Sequence, residues 1–467
     1  AATEIYTLSL HDALPISPSR AGAGSERRRK GGNGGLMAKE EPIRLDAVVK
    51  EALRRAHSIM QSQPCGPVYL MMQRETLTQT WSVDAVRRFS AEQFGSTTGG
   101  QADPQLVAAL ADRLLEAEHP ILITAYAGRN PRAVAAIAEL SEFAGIAVIE
   151  SNMTNNIPNT LPCFVGYSPN AHLPKADVGI LVDIDVPWFP ADVTLRGDTF
   201  WAHIDIDILK PASPMWTFPG NLRLQGDSGH ILTQLLEELK RRATPRFRDQ
   251  AAARAAQWKK EHAAIAERAQ KLAADKGKPG EINPHYLFAE LNKLLEPKDV
   301  VFNEAIRNAA AALLQIVRPE PNTMIRSAGG GLGWSGGFAL GAKLAAPDRM
   351  MVQVVGDGSF YFGNPSSVFS ASQQYKLPIL IIVTDNTGWS AVKESTLRVF
   401  PTGEAKAADE FQAKLLPDVD FSKIAEAFGA YGEKVTDPEK VPAALARCVK
   451  EVRGGRTAIL HARVTRL

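Results

Sequence analysis

Residues 350–359, MMVQVVGDGS, and residues 379–386, ILIIVTDN, decide the fold of the chain. Each stretch is an apolar run that ends in polar residues, and each run has the length of one buried strand. Residues 366–375 between them can form a helix, so the segment predicts a β-α-β unit with parallel strands. The carboxyl ends of the two strands then lie at one edge of the sheet, where open α/β folds bind ligands.

The polar residues at these strand ends predict a metal site. Asp357 and Asn386 offer hard oxygen ligands, which suit Mg²⁺ because this cation prefers carboxylate, carbonyl and phosphate oxygens. Gly356 and Gly358 lack side chains and would let the backbone approach a diphosphate closely. An ordinary strand end with a Gly-Asp turn is the alternative interpretation, and the whole constellation disfavours it.

The chain resembles the thiamine diphosphate enzymes, in their acetolactate synthase and benzoylformate decarboxylase branch. The resemblance lies in the order of three features: GDGS, a strand-helix-strand spacer and then Asp-Asn-Thr-Gly. Asp385 departs from this pattern, since the family has an asparagine there. The family's metal ligand is the second asparagine, so Asn386 keeps that role. The resemblance implies three Mg²⁺ ligands: Asp357, Asn386 and the backbone oxygen of Gly388. It implies three residues at the diphosphate: Gly356, Gly358 and Ser359.

A glycine-rich stretch upstream, residues 327–334 (SAGGGLGW), resembles the family loop that holds the aminopyrimidine ring of thiamine diphosphate. The resemblance implies that the Gly330 backbone bonds the 4′-amino group and that Leu332 supports the bent cofactor. A competing interpretation is a dinucleotide fingerprint, because residues 331–336 also fit GxGxxG before a helix. That fingerprint needs a ribose-binding acid after the next strand, and the acid there is Asp357, already part of GDGS.

Composition predicts a cytoplasmic enzyme of two or three α/β domains, with 467 residues of which 45% are hydrophobic and 22% charged. The net charge of +2 is dispersed, which argues against a nucleic-acid or membrane surface. The three cysteines are far apart without a CxxC pair, so a zinc or disulfide framework is not expected. The sequence shows no apolar run of the roughly 18 residues that a membrane span needs.

The element pattern predicts an α/β fold class with parallel sheets. The resemblance implies two Rossmann-like parallel-sheet domains plus a remnant of a pyrimidine-binding domain. Residues 1–17 resemble a translated sequencing adapter, and residues 18–36 are rich in Gly, Ser and Arg, so neither is expected to pack. A disordered native extension is the alternative. The predicted segments are a non-native or disordered leader at 1–40, a pyrimidine-domain remnant at 41–75, a linker at 76–101, a central Rossmann-like domain at 102–242, a helical connector at 243–280 and the thiamine diphosphate domain at 281–467.

The central domain is predicted from strand-like runs at 121–124, 146–149, 178–182 and 200–204. The resemblance implies FAD here in acetolactate synthases and nothing in many relatives, so FAD is possible but unsupported. Residues 127–130 could meet a nucleotide, although a plain β-α turn is favoured. Four aspartates at strand ends could suggest a metal, although acids there more often cap helices or stay solvated: Asp183, Asp185, Asp205 and Asp207.

The resemblance implies a thiamine-diphosphate- and Mg²⁺-dependent decarboxylase or carboligase for a small 2-oxo acid, working as a homodimer or homotetramer. Val392 stands where pyruvate decarboxylases carry a catalytic glutamate, which argues against that assignment. Val392 and Trp389 would shape the pocket, and a role as core residues is the alternative for either. In the family the activating glutamate belongs to the pyrimidine domain. No residue here can be given that role, so no catalytic residue is assigned, and the chain is expected to be an inactive fragment by itself.

Two other functions stay open: a dinucleotide-dependent oxidoreductase that uses the Gly331 loop, and a catalytically silent protein with the thiamine diphosphate fold. The histidines that lie on predicted helices or strands are expected to be structural: His57, His203, His285 and His461.

Overall fold

The computed structural model describes residues 6–9, 45–72, 74–78, 80, 82, 90, 92–211, 213, 216–327 and 329–465. The chain divides into two compact units. The first comprises Ala1–Gly100 and Leu209–Thr217, and the second comprises Gln101–Ile208 and Phe218–Leu467.

The described residues of the first unit form two strands and two helices: β1 (Tyr6–Ser9), α1 (Leu45–Gln61), β2 (Val68–Met71) and α2 (Arg74–Leu77). The predicted helix and strand of the pyrimidine-domain remnant are found as α1 and β2. β1 pairs in parallel with β2, in a register that aligns Tyr6 with Val68. This pairing departs from the expectation of an unpacked leader at those four residues, and the other residues of 1–40 lie outside the described part of the chain.

The second unit begins with the central sheet. Its elements are α3 (Pro104–Glu116), β3 (Pro120–Thr124), α4 (Pro131–Ala144), β4 (Ala147–Glu150), β5 (Val178–Val182), β6 (Phe200–Asp205), β7 (Leu222–Gln225), α5 (Ser228–Arg242) and α6 (Pro245–Ala274). The strands are parallel in the order β4-β3-β5-β6-β7. All residues of β3, β4 and β5 are buried, as expected for a parallel sheet covered on both faces. β7 was not predicted, because this edge strand buries only Leu224.

Several helices of this unit begin at a polar residue followed by proline. The polar side chain accepts a hydrogen bond from a backbone N–H of the first turn, and proline suits the first helical position because it has no N–H to satisfy. The pairs are Asp103-Pro104, Asn130-Pro131, Thr244-Pro245 and Asn283-Pro284.

The predicted helical connector is largely α6, and its first half packs on the central sheet domain. Phe247, Ala251, Ala255 and Trp258 are buried there. The Arg254 guanidinium donates to the carbonyls of Ala117, Ala144 and Gly145. These contacts make the first half of α6 part of the central core.

The second sheet follows α6. Its elements are β8 (Gly277–Lys278), β9 (Glu281–Ile282), α7 (Pro284–Asn292), β10 (Val300–Glu304), α8 (Ala309–Gln315), β11 (Met324–Ile325), α9 (Ser335–Ala345), β12 (Met351–Gly356), α10 (Asp357–Phe362), α11 (Pro365–Tyr375), β13 (Leu380–Asp385), α12 (Ser390–Val399), α13 (Glu404–Ala408), α14 (Ser422–Ala427), β14 (Tyr431–Val435), α15 (Val441–Arg453) and β15 (Ala458–Arg463). Six strands are parallel in the order β11-β10-β12-β13-β15-β14, and β8 and β9 form a short antiparallel pair.

The predicted β-α-β unit is confirmed as β12, α11 and β13, with Gly356 aligned to Thr384. The five-stranded and six-stranded parallel sheets of the second unit confirm the predicted α/β fold class. β15 lies between β13 and β14, so the last strand of the described chain occupies an inner position of the sheet.

The two sheets of this unit are joined through the segment after β4. Asn156 accepts from the backbone N–H groups of Thr323 and Met324 through its side-chain oxygen, at 2.8 and 2.7 Å. The backbone N–H of Arg326 donates to the carbonyl of Thr154 at 3.0 Å. β11 is therefore held between β10 on one side and the central domain on the other.

Candidate cofactor and metal site

The carboxyl ends of β12 and β13 meet at Asp357. The Gly-Asp-Gly sequence suggests a turn, but Asp357 is the first residue of the short helix α10. Its Oδ1 accepts the N–H of Gly358 at 2.9 Å, and its Oδ2 accepts the N–H of Gly388 at 3.0 Å. Because Gly388 lies in the segment after β13, the second bond joins the two strand ends.

Asp385, the acid that departs from the family pattern, is directed at β15. Its Oδ2 accepts from His461 Nε2 at 2.9 Å and from Arg463 Nη1 at 2.8 Å. Its Oδ1 accepts the N–H of Thr387 at 2.8 Å, and Thr387 itself has a left-handed φ of 66°. Asp385 is therefore occupied within the protein and shapes the turn that presents Asn386.

The side-chain oxygen of Asn386 is buried, and the described residues offer it no hydrogen-bond partner. A buried polar atom without a partner is rare, because the loss of hydration is then not offset. Asn386 Oδ1 therefore has a free lone pair two residues from Gly388, the residue whose N–H contacts Asp357.

The carboxyl groups of Asp357 and Asp385 have pKa values shifted in opposite directions. Burial and the nearby charge of Asp385 raise the pKa of Asp357 to about 7. Burial also acts to raise the pKa of Asp385, but the hydrogen bonds from His461 and Arg463 outweigh it and hold that pKa below its ordinary value. Asp385 thus accepts from two side chains, one of them a guanidinium, whereas Asp357 is bound by backbone N–H groups alone in the contacts above.

This donor set fits Mg²⁺. A carboxylate and an unpartnered amide oxygen at adjoining strand ends are hard ligands, and a backbone carbonyl such as that of Gly388 is a third of the same kind. Among the described residues, no group of three or more His, Cys, Asp or Glu side chains could hold a metal ion. The set therefore suits an oxygen-bound cation that also takes ligands from a diphosphate, and it does not suit zinc.

The glycines beside this site have different roles. A Cβ on Gly358 would overlap the indole of Trp389, whereas one on Gly356 would have only an ordinary contact with the Ala305 carbonyl. The space at Gly358 is therefore taken by Trp389. Ser359 is buried at the start of α10, and contact of these residues with a diphosphate stays a prediction.

The glycine-rich loop is open where the aminopyrimidine is predicted to bind. A Cβ on Gly330 would meet nothing within 4 Å, and Leu332 is 39% exposed. Gly333 has a φ of 86°, and a Cβ there would overlap the backbone of Phe362. Gly333 is therefore required by the fold, whereas Gly330 and Leu332 line free space.

Glu304, the last residue of β10, binds the start of α9. Its carboxylate accepts from the N–H groups of Gly333 and Ser335 and from the Ser335 hydroxyl. A dinucleotide fingerprint would place a pyrophosphate at this helix start. Since a buried carboxylate of the protein already occupies these N–H groups, the geometry disfavours the dinucleotide interpretation.

Sequence reasoning did not find Glu304, His461 or Arg463 as parts of the site. Glu304 had a usable signal, since it ends an apolar run in the same way as Asp357 does. His461 is predicted to be structural, and its Nε2 donates to Asp385 at the start of the turn that contains Asn386 and Gly388. The other weighed histidines have the following positions: His57 is in α1 of the first unit, and in the second unit His203 bonds the Pro219 carbonyl and His285 contacts Gln315.

The central domain's candidate groups have structural partners. Residues 127–129 form a single 3-10 turn, and Asn130 caps α4. The Tyr126 hydroxyl donates to Asp205 and Asp185 at 2.8 and 3.1 Å, and Asp205 also accepts the N–H of Asp207. Ser228 donates to Asp183 at 2.6 Å. The favoured interpretation of these segments as turns and caps agrees with these contacts.

Comparison with protein families matches residues 307–462 to the C-terminal TPP binding domain of thiamine pyrophosphate enzymes. This segment contains both strand ends of the site. This part of the chain is a domain of the thiamine pyrophosphate enzyme type. The chain is 26% identical over 410 residues to benzoylformate decarboxylase of Pseudomonas aeruginosa, which covers 85% of the chain and 71% of the relative.

A second similar protein is the acetolactate synthase isozyme 3 large subunit of Escherichia coli, 26% identical over 266 residues. That match covers 56% of the chain and 43% of the relative. The crystal structure of benzoylformate decarboxylase from Polynucleobacter necessarius shares the fold, with a TM-score of 0.66 and 19% identity over 91% of this chain and 75% of that one. None of the helices described here combines the length and apolar content needed to cross a membrane.

Proposed function

We propose that the chain is a Mg²⁺-dependent thiamine diphosphate enzyme that decarboxylates or ligates 2-oxo acids, in the manner of the acetolactate synthase group. The observation that carries the proposal is the buried, unpartnered Oδ1 of Asn386, next to a turn that is bonded to Asp357. When bound, thiamine diphosphate supplies the electron sink for the loss of carbon dioxide from a 2-oxo acid.

The chain's own residues would hold the cofactor rather than carry out proton transfer. Asp357 and Asn386 would bind the metal ion and so fix the diphosphate, while His461 and Arg463 keep Asp385 and its turn in place. Glu304 holds the glycine-rich loop through Gly333 and Ser335, and that loop would receive the aminopyrimidine. The Trp389 indole packs directly against Gly358.

Titration calorimetry with thiamine diphosphate, with and without Mg²⁺, tests the cofactor assignment. We expect binding only with Mg²⁺, and a loss of roughly 100-fold or more in affinity for Asp357→Ala and for Asn386→Ala, because each removes a metal ligand. Asp348→Ala is the control, since Asp348 is exposed in the turn before β12, at the opposite end of the same strand. Equal affinity for Asp357→Ala and Asp348→Ala would rule out this metal site.

Substrate class is tested on protein loaded with Mg²⁺ and thiamine diphosphate. 2-Oxopentanoate should bind, and pentanoate, which lacks the reacting carbonyl, should bind at least tenfold more weakly, a difference of about 1.4 kcal/mol. Equal affinities would leave the cofactor assignment standing and remove the 2-oxo acid assignment.

A further inference from the structure

Arg326, the residue that follows β11, carries a half-buried guanidinium for which the described residues provide neither a hydrogen-bond acceptor nor a carboxylate. Other buried arginines of this unit are satisfied. Arg254 donates to three carbonyls, and Arg318 donates to the carbonyls of Glu296, Val317 and Asp299. Withdrawing a guanidinium from water without a partner costs free energy, so Arg326 is a candidate binding site for an anionic ligand.

The guanidinium lies at the wall of two cavities of the second unit. One has a volume of about 990 Å³ and is enclosed by β4, α6, the segment after β10 and the start of α8. The other, of about 260 Å³, is bounded by Tyr126, Asp185 and Phe189. The larger cavity has room for a small organic acid.

The larger cavity also presents Glu150, whose side chain is fully buried. Its Oε1 accepts the N–H of Ile157 at 2.7 Å, while its Oε2 has no hydrogen-bond partner among the described residues. Burial raises the pKa of Glu150 well above its ordinary value. A neutral carboxyl group has an O–H to donate, so Glu150 offers a hydrogen bond to a ligand oxygen.

The remaining charges around the larger cavity are balanced or solvated. His172 faces Glu261 at 3.0 Å, Arg307 pairs with Glu394 at 2.6 Å, and Asp275 accepts the N–H of Gly277. Arg268 on α6 is exposed to solvent. Arg326 is thus the charge of this cavity that is both withdrawn from water and uncompensated.

Arg326 is close to the predicted cofactor loop. Gly330 follows it by four positions, so the two Cα atoms are at most about 14 Å apart. This separation is short enough for one ligand to extend from Arg326 to a cofactor bound at this loop.

We infer that Arg326 and the 990 Å³ cavity select a 2-oxo acid that carries a second anionic group at the end away from the reacting carbonyl. This inference rests on the proposed function. In decarboxylation the C1–C2 bond breaks, the electron pair stays with C2, and the carboxylate leaves as neutral carbon dioxide. A guanidinium paired with that carboxylate would stabilise the charge that must disappear and so oppose the reaction. Arg326 therefore suits an anion that stays on the substrate, whether a carboxylate or a phosphonate.

Titration calorimetry with matched ligands tests the inference. 2-Oxoglutarate and 2-oxopentanoate have the same five-carbon chain and differ in the distal carboxylate, and 2-oxo-4-phosphonobutanoate replaces that carboxylate by a phosphonate. A charge-assisted pair between Arg326 and the distal anion predicts that one of the two dianionic acids binds roughly 10- to 100-fold more tightly than 2-oxopentanoate. The tighter of the two identifies the distal group as a carboxylate or a phosphonate. Equal binding of all three would overturn the inference.

Substitutions test whether the preference for a dianionic acid depends on Arg326. Arg326→Gln should abolish the preference for the dianionic acid, and Arg326→Lys should restore part of it. Arg268→Gln, an arginine at the exposed side of the same cavity, should keep it, and Glu150→Gln should keep it because glutamine supplies a neutral donor. A preference that survives in Arg326→Gln, with an unchanged thermal melt, would refute the assignment.

Each titration is run with and without Mg²⁺ and thiamine diphosphate, which separates this inference from the proposed function. If the cofactor does not bind but the Arg326-dependent preference is present, the proposed function fails and the anion site stands. If the cofactor binds and the preference is absent, only the anion site fails.

Discussion

Glu150 shows how burial changes the role of one residue. The carboxyl group ends β4 with no exposed surface, and only one of its oxygens is bonded within the described chain. Burial raises its pKa, so the folded chain retains a proton that the unfolded chain releases near pH 4.3. A group of this kind stabilises the folded state fully below the unfolded pKa, and the contribution is lost as the pH rises toward the folded pKa.

We therefore predict that Glu150→Gln becomes progressively more stable than the wild type as the pH rises from 5 to 7. The gain is at most about 1.4 kcal/mol per pH unit, because glutamine needs no proton to stay neutral. Urea unfolding at each pH measures it. Glu142→Gln on the exposed face of α4 is the control and should show no such trend; parallel pH profiles for the two variants would contradict the prediction.

At the scale of elements, two glycines near the start of α9 differ in whether the structure leaves space for a side chain. Gly333 needs its left-handed backbone and has no room for a side chain, whereas a Cβ on Gly337, inside the same helix, would meet nothing within 4 Å. The loop and the helix therefore differ in what an added methyl group does.

We predict that Gly333→Ala destabilises the chain by about 2 kcal/mol or more, because alanine resists the left-handed backbone and overlaps Phe362. Gly337→Ala should instead stabilise it by about 1 kcal/mol, since glycine is a poor helix former. Both free energies come from urea unfolding. Similar effects of the two substitutions would show that the loop geometry is wrong.

The sequence predicted those elements whose pattern is local. The apolar runs and helix of residues 350–386 are found as predicted, because buried parallel strands are continuous apolar stretches. The contacts of Asp385 with His461 and Arg463 could not be predicted, since they join residues 76 and 78 positions apart across the sheet. α10 was missed because Gly-Asp-Gly is typical of a turn, although its helix begins with a buried aspartate.

At the scale of the molecule, the region around the candidate site has uncovered apolar side chains. α12 has no buried residue, and Val392, Val399 and Phe400 are 53%, 66% and 66% exposed. Val392 is therefore not a core residue. Exposed apolar residues in one short segment are typical of a surface that a partner covers.

We predict a homodimer in light scattering that Phe400→Glu converts to a monomer, because a buried unpaired charge disfavours association. Leu344→Glu is the control. Leu344 is 70% exposed at the end of α9, next to Lys343, which bonds the turn before β12 at the opposite edge of the sheet. A dimer that survives Phe400→Glu, or one that Leu344→Glu also dissociates, would place the interface elsewhere.

The inner position of β15 has a consequence for biosynthesis. A ribosome makes roughly 5–20 residues per second, so β10 to β13 emerge several seconds before the strand that must be inserted between β13 and β14. Until then Asp385 has neither His461 nor Arg463, and β13 presents an open edge. The central sheet can be completed early on the nascent chain, whereas the cofactor half stays an unfinished sheet until the last strand arrives. Chaperone demand during translation should therefore concentrate on this half.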